Sequence, residues 1–211
     1  SRSVSNKRLL FPAEQALSGL RDSGIRSTAA ALSEIIDNSV DANAKKISVL
    51  VFEKNQKIEK RFLDKIDEIC IIDDGAGMTP EILENCLAVG GRDDGDDNSE
   101  NHTGRFGYGL PNSSMSQCKR VEVYSWQKKD EVFYTYLDFD EVLKTKDQFC
   151  KPVEKTKLPK KIIDCFKNQI ASSGTAIVWS KCDRLDIARG ETLFNHMKGD
   201  LCRIFRHRLD D

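Results

Sequence analysis

No apolar run in this sequence approaches the ~20 residues that a membrane-spanning helix requires, and the opening SRSVSNKRLL lacks the apolar stretch of a secretory signal. No C-x-x-C pair occurs among the seven cysteines, which stand at 70, 86, 118, 150, 165, 182 and 202. Their odd number and wide spacing exclude a zinc framework or a disulfide scaffold. They are expected to be reduced and mostly buried, as in an intracellular protein. Net charge is nearly absent as well: 33 basic against 34 acidic residues leave −1, with a pI of about 6.3. No global field therefore draws the chain to DNA or to anionic lipid, and any such contact has to come from a local patch. No G-K-[ST] tripeptide occurs, which excludes a Walker-type phosphate loop. The expected compartment is the cytoplasm, or the nucleus in a eukaryote, with no membrane partner.

What the chain does have is 211 residues, 39% of them hydrophobic, enough for one domain with a real core spanning 1–211. Helices and strands alternate. Pro12 followed by AEQALSGLRDSG predicts a first helix stopped by Gly24, and TAAALSEIIDNSVDA predicts a second. The strand candidates are 46–53, 68–73, 121–126, 131–139 and 175–180. Further helices are expected over PEILENCLAV, PNSSMSQC and PKKIIDCFKNQI, and TLFNHMKGDLCRIFRHRL reads as one amphipathic helix from Thr192 to about Arg208. Helices interleaved with five strands imply an α/β (α+β) sandwich, one sheet under a helical layer. Residues 90–106 are glycine-rich and acidic, carrying Asp93, Asp94, Asp96, Asp97 and Glu100, and read as a mobile loop; Gly95 is misplaced for a calcium loop. Lysine-rich 144–161 reads as a solvated connection.

Four constellations can carry chemistry. Glu34, Asn38 and Asp41 fall at i, i+4 and i+7, one stripe of the second helix, with Leu32, Ile36 and Val40 roughly opposite. Such a carboxylate can take a proton from water while the amide one turn on ligates a hard cation; a merely solvated face has the same pattern. Next, a strand runs through Asp73 into Asp74-Gly75-Ala76-Gly77-Met78. A carboxylate fixed there can accept from an exocyclic amine, and glycines let a flat ring approach the backbone, although Asp-Gly is also ordinary turn chemistry. Third, Gly104-Arg105-Phe106-Gly107-Tyr108-Gly109-Leu110 precedes a predicted helix, where backbone N–H groups can hold phosphate. It neither follows a strand directly nor has an acidic residue about twenty positions on, so it is not the dinucleotide fingerprint. Last, Gly174-Thr175 opens the final predicted strand.

The order E-x-x-x-N-x-x-D-A, D-x-G-x-G-M, G-x-x-G-x-G-L and G-T across residues 34–175 resembles the GHKL family, the ATP-binding fold of DNA gyrase, the ninety-kilodalton heat-shock chaperones, histidine kinases and MutL. The wording LSEIIDNSVDANAKKI and TGRFGYGLPNSSMS is closest to the MORC and MutL-like branch, with Pro111 and Asn112 standing where MORC proteins carry a lysine. The resemblance implies a Bergerat fold, with a mixed, largely antiparallel sheet. It implies Glu34 as the general base that activates water and Asn38 as the magnesium ligand. Asp73 becomes the adenine reader, supported by Thr175. Gly75, Gly77 and Met78 are implied to shape the base pocket, and Asp41, Ala42 and Lys45 to line the ribose side. Gly104, Arg105, Phe106, Gly107, Tyr108, Gly109 and Leu110 wrap the phosphates, and 90–106 is the lid over them. The implied cofactors are ATP and Mg²⁺.

Histidine kinases generally lack a glutamate at the position of Glu34, so its presence favours hydrolysis. Family members that hydrolyse ATP take a lysine from a following domain that does not fit after residue 180. The expectation is therefore the N-terminal part of a longer protein that binds ATP, hydrolyses it slowly, dimerises on ATP and drives a machine acting on DNA. A non-hydrolysing nucleotide sensor and a chaperone-type ATPase are the alternatives. Arg184, Arg189, Arg203, Arg206, His207 and Arg208 form a candidate basic patch.

Overall fold

The computed structural model describes residues 12–88, 109–145, 151–197, 199 and 202–209. Helix α1 (Ala13–Ser23) ends at Gly24 as expected, although Pro12 is its N-cap rather than its first residue. It buries Ala13, Leu17 and Arg21, spaced one helical turn apart. Helix α2 (Thr28–Asp41) starts where the Ser27 hydroxyl accepts the Ala30 N–H at 3.2 Å. It buries Ala31, Leu32, Ile35, Ile36 and Ser39. Val40, expected in the core, is instead 41% exposed. It lies about 100° around the helix beyond Ser39, outside the buried arc.

Seven strands form one sheet in the order β5-β4-β3-β6-β2-β1-β7. They are β1 (Ile47–Ile58), β2 (Arg61–Asp73), β3 (Arg120–Trp126), β4 (Val132–Asp138), β5 (Glu154–Thr156), β6 (Gly174–Ser180) and β7 (Arg203–Arg208). Neighbours are antiparallel except β7, which runs parallel to β1. The sheet is therefore mixed and mostly antiparallel, the α/β sandwich expected of the GHKL fold. On one face Val49, Val51, Ile69, Ile71, Val123, Ile177 and Trp179 pack beneath α1, α2 and α4 (Gly109–Met115). On the other, Leu50, Cys70, Ile72, Tyr124, Trp126 and Val178 meet Ile162 of the short helix α6 (Lys160–Cys165). Alternate residues of each central strand thus serve two apolar clusters, which explains why these strands read as nearly continuous hydrophobic runs. Among the described residues, no helix is long and apolar enough to cross a membrane.

Several boundaries differ from the sequence expectation. The single helix predicted over 192–208 is α7 (Gly190–His196) followed by strand β7. Edge strand β1 would otherwise present unpaired N–H and C=O groups, and R-I-F-R-H-R satisfies them over Ser48–Glu53. The connection 144–161 contains β5, which pairs with β4. Phe139 leaves the predicted strand and opens α5 (Phe139–Thr145). Helix α3 (Pro80–Asn85), capped by the Thr79 hydroxyl, stops short of residue 89. β1 and β2 are much longer than predicted, and their polar outer halves pair with each other. Of the described cysteines, Cys70, Cys86 and Cys118 are buried and Cys165, Cys182 and Cys202 half-buried. Burial pushes the Cys70, Cys118 and Cys182 thiols up, away from the reactive thiolate.

Candidate functional site

Asp73 closes β2, directly opposite Thr175 of β6, which stands opposite Ser125 of β3. The three therefore make a polar row across adjacent strands, continuing the apolar row that packs beneath α2. Asp73 is 6% exposed. Its Oδ2 accepts from the Ser39 hydroxyl at 2.7 Å, and its Oδ1 accepts the Gly75 N–H at 2.8 Å. Burial raises its pKa above the ordinary carboxylate range; hydrogen bonds from Ser39, Gly75 and the Thr175 backbone oppose that, and the nearby Asp74 charge adds to it. A carboxylate offers about four lone-pair positions, so acceptor capacity remains for a ligand donor.

Ser125 ties this row to the turn that follows β2. Its Oγ accepts the Met78 N–H at 2.7 Å and lies 2.9 Å from Thr175 Oγ1. Met78 itself is 2% exposed. Gly77 has φ +72°, and a Cβ there would stand 2.2 Å from the Trp126 carbonyl oxygen. Gly174 is as constrained, its virtual Cβ lying 2.2 Å from the Asp73 carbonyl oxygen. Ser173 closes the turn by donating to the Gly75 carbonyl at 2.8 Å. A flat ligand edge at Asp73 thus meets backbone held on both sides by contacts that only glycine permits.

The opposite end of the site lies along α2. Glu34 is exposed and Asn38 half-buried. Gly109 opens α4 against them, since a Cβ on it would lie 3.9 Å from Glu34 Oε2 and 4.0 Å from Asn38 Nδ2. Carboxylate, amide and helix start therefore share one edge. Asp41 is exposed at the end of α2, and the buried Ala42 accepts the Ala76 N–H at 3.4 Å, docking the glycine turn onto the helix. Lys45 is exposed, and its backbone N–H and that of Lys46 donate to Asp74 Oδ1 at 2.7 and 2.8 Å. With Asp73, Trp126, Phe166 and Arg203, it borders a cleft of about 770 Å³. Leu110 is wholly buried in the main core, so it anchors α4 and leaves only its backbone for a ligand. Gly104, Arg105, Phe106, Gly107 and Tyr108, with the loop 90–106, lie outside the described residues.

Three side chains of this site escaped the motif pattern. Ser39 sits one position off the Glu34–Asn38–Asp41 stripe, and its signal is a hydroxyl on the apolar side of α2. Ser125 ends the inward alternation Val121, Val123, Ser125 with a polar group where a third apolar residue belongs. Asp74, whose sequence signal is only that of an Asp-Gly turn, fixes the entry to β1. Among the described residues, no group of three or more His, Cys, Asp or Glu side chains can share a metal ion. The donor set at the open end is one amide with a neighbouring carboxylate. That suits magnesium, which keeps water and phosphate oxygens around few protein ligands.

Residues 25–174 match the model of the family described as histidine kinase-, DNA gyrase B-, and HSP90-like ATPase. Over 115 residues the chain is 29% identical to Protein MICRORCHIDIA 6 of Arabidopsis thaliana, covering 51% of this chain and 16% of that protein. Over 101 residues it is 32% identical to the human MORC family CW-type zinc finger protein 1, covering 48% of this chain and 9% of that protein. The matches therefore span only a small part of either relative. Among solved structures, the N-terminal domain of a DNA repair protein superposes with a TM-score of 0.48 at 16% identity, covering 79% of this chain and 39% of that one.

Proposed function

We infer, from the premise that this chain belongs to the histidine kinase-, DNA gyrase B- and HSP90-like ATPase family, that it binds ATP with Mg²⁺ and hydrolyses it slowly. The supporting observation is the two-ended site: a buried, hydrogen-bonded Asp73 at one end, and Glu34 and Asn38 facing the first residue of α4 at the other.

At the buried end, Asp73 accepts from the exocyclic amine of adenine, while Ser39 and the Gly75 N–H hold its carboxylate in place. Gly77 and Met78 border the ring, and Asp41, Ala42 and Lys45 lie toward the ribose. At the open end, the Asn38 amide oxygen holds the cation, which when bound neutralises charge on the phosphate oxygens. Glu34 accepts a proton from the attacking water and orients it. The phosphates are assigned to the glycine segment Gly104 to Leu110 on the order of the motifs. Positioning and charge neutralisation, rather than covalent chemistry by the protein, carry such a reaction.

The relatives' much greater length, together with the MORC and MutL-like wording of the motifs, supports a wider role. In this reading the domain dimerises on ATP and passes that change to a larger protein that acts on DNA. Calorimetric titration with ATP and Mg²⁺ tests the first step. Binding by the wild-type chain that is weakened about tenfold or more in Asp73→Asn supports the assignment, and equal binding by both overturns it. Sedimentation with and without a non-hydrolysable ATP analogue tests dimerisation.

A further inference from the structure

Around Asp73 the polar hydrogens are spent inward. Ser39 gives its hydroxyl hydrogen to Asp73 Oδ2 at 2.7 Å, and the Gly75 N–H goes to Asp73 Oδ1 at 2.8 Å. The Ala76 N–H goes to the Ala42 carbonyl at 3.4 Å, and the Met78 N–H to Ser125 Oγ at 2.7 Å. The hydroxyls of Ser125 and Thr175, whose oxygens lie 2.9 Å apart, complete the row, and either could be the donor on distance alone.

The other partners of Ser125 settle the direction. A serine hydroxyl has one hydrogen and two lone pairs, and the Ser125 side chain is wholly buried. The Met78 N–H can only donate, so it takes one lone pair. The Gly174 carbonyl, 3.1 Å from Ser125 Oγ, can only accept, so it takes the hydrogen. What remains is the second lone pair, and Thr175 fills it by donating. In the reverse arrangement Ser125 would give up the Gly174 bond and bury an empty lone pair, and buried polar groups are found with their bonds made. The hydrogens therefore run from Thr175 to Ser125 to the Gly174 carbonyl. Thr175 Oγ1 keeps only lone pairs for whatever enters beside Asp73.

Asp73 by itself does not choose between purines. A carboxylate accepts equally from the 6-amino group of adenine and from the ring N1–H of a 6-oxo purine. The 6-oxo purine also brings a carbonyl oxygen, which needs a donor next to the carboxylate. Thr175 stands directly opposite Asp73 in the register, on the same face of the sheet, and is 4% exposed. With its hydrogen held by Ser125, it meets a ligand oxygen as acceptor against acceptor. Leaving both groups unpaired in a buried place is the strongest discrimination a polar pocket has.

We propose that Ser125 is a specificity-determining residue of the base site. By holding the Thr175 hydrogen it keeps this end acceptor-only, so the site takes 6-amino purines and rejects 6-oxo purines. Ser125 is a positioning residue here, acting through Thr175 without touching the ligand. The proposal rests on the reading of Asp73 as the group that receives the base.

The test is calorimetric titration of the 211-residue chain with Mg²⁺ and either ATP or inosine triphosphate, which has the 6-oxo group and N1–H and no 2-amino group. Wild type is expected to prefer ATP by roughly 10²-fold, the effect of one unmatched buried polar contact. In Ser125→Ala the Thr175 hydroxyl can turn its hydrogen to a ligand oxygen, and the preference should fall about tenfold, through tighter binding of inosine triphosphate. A purely structural role for Ser125 would weaken both nucleotides alike and leave their ratio unchanged. Ser125→Ala also takes the acceptor from the Met78 N–H, so Thr175→Val serves if that variant does not fold. It keeps the side chain's shape and removes its lone pairs, and there the preference should fall through weaker ATP binding alone. Equal binding of both nucleotides by wild type overturns the proposal. So does a preference that survives in folded Ser125→Ala or in Thr175→Val, and either result leaves the assignment of Asp73 to ATP in place. A wild-type chain that takes up neither nucleotide overturns that assignment and the proposal with it.

Discussion

The two ends of the candidate site are built on opposite principles. Around Asp73, Ser39, Ser125 and Thr175 bond one another or the neighbouring backbone, and two glycines press against carbonyl oxygens at distances no side chain tolerates. Around Glu34 and Asn38 the side chains stand at the surface of α2 and face a helix start across ordinary van der Waals distance. One end is part of the folded core, so a change to its packing or its donors bears on stability. The other is separable from the fold, so its chemistry can be removed while the protein remains intact. Reading a base demands a fixed edge, which a buried hydrogen-bonded carboxylate provides. Phosphate chemistry needs access for a nucleotide and water, which an open helix surface allows.

The sharpest way to break this contrast is at Gly77. Gly77→Ala places a methyl group 2.2 Å from the Trp126 carbonyl oxygen in a left-handed backbone conformation, so a loss of more than about 4 kcal/mol, or failure to fold, is expected by thermal or urea melting. A well-folded Gly77→Ala variant would show that the buried end is more plastic than its geometry requires. At the open end, Glu34→Ala should lower single-turnover hydrolysis by roughly 10²–10⁴-fold, the usual range for losing a general base, with unchanged melting temperature and unchanged ATP affinity. A melting temperature that fell as well would place Glu34 in the fold rather than in the chemistry.

Asp73→Asn tests the buried end from within. The amide can still accept the Gly75 N–H and no longer has to be buried as a charge. ATP affinity should fall by about tenfold or more, the effect of about 1.4 kcal/mol, while thermal stability at neutral pH holds or rises. Ser39→Ala leaves the Asp73 carboxylate short of one donor, and a destabilisation of about 1–3 kcal/mol is expected from chemical denaturation. It should also push the Asp73 carboxyl further up.

The smallest effect is in pH dependence, where two buried carboxylates act with opposite sign. At Asp138, burial alone would raise the pKa, but hydrogen bonds from Lys181, the Glu141 N–H and Arg120 outweigh it and hold the carboxyl below the ordinary range. Its contribution to stability is fully present above the unfolded pKa, near 3.9, and is lost as pH falls through the lower folded value. Asp73, raised in the fold, destabilises as pH climbs from the ordinary carboxylate range through its higher folded value. Melting temperatures across pH 2 to 8, roughly the span of carboxylate titration, should show less acid sensitivity in Asp138→Asn and higher neutral-pH stability in Asp73→Asn.

Much of the scaffold was legible beforehand because it depends on local spacing. The bounds of α1 follow from Pro12 and Gly24, and α2 follows from apolar residues one turn apart, its Ser27 cap being found only in the structure. Thr79 and Pro80 mark the start of α3 for the same reason. The end of the chain was misjudged because R-I-F-R-H-R has too few residues to separate a helical from an extended period. Its conformation is decided by the vacant edge of β1, which lies 150 residues or so earlier in the chain and is invisible to any local window. The length of β1 and β2 escapes a local reading for a related reason. Their outer halves are too polar to look like strands, and only cross-strand pairing over Lys54–Ile58 and Arg61–Lys65 makes them so.

The sequence by itself determined the chemical vocabulary of the site: which carboxylates, amide and glycines exist, in what order, and that Glu34 and Asn38 share a helix face. Those are consequences of residue identity and of the fixed 3.6-residue turn. Tertiary structure alone decided that Asp73 is buried beneath α2 on Ser39, that Ser125 and Thr175 complete its row, and that Gly109 opens its helix against Glu34. Each of these joins residues far apart in the chain, and such contacts exist only once the sheet has set its register.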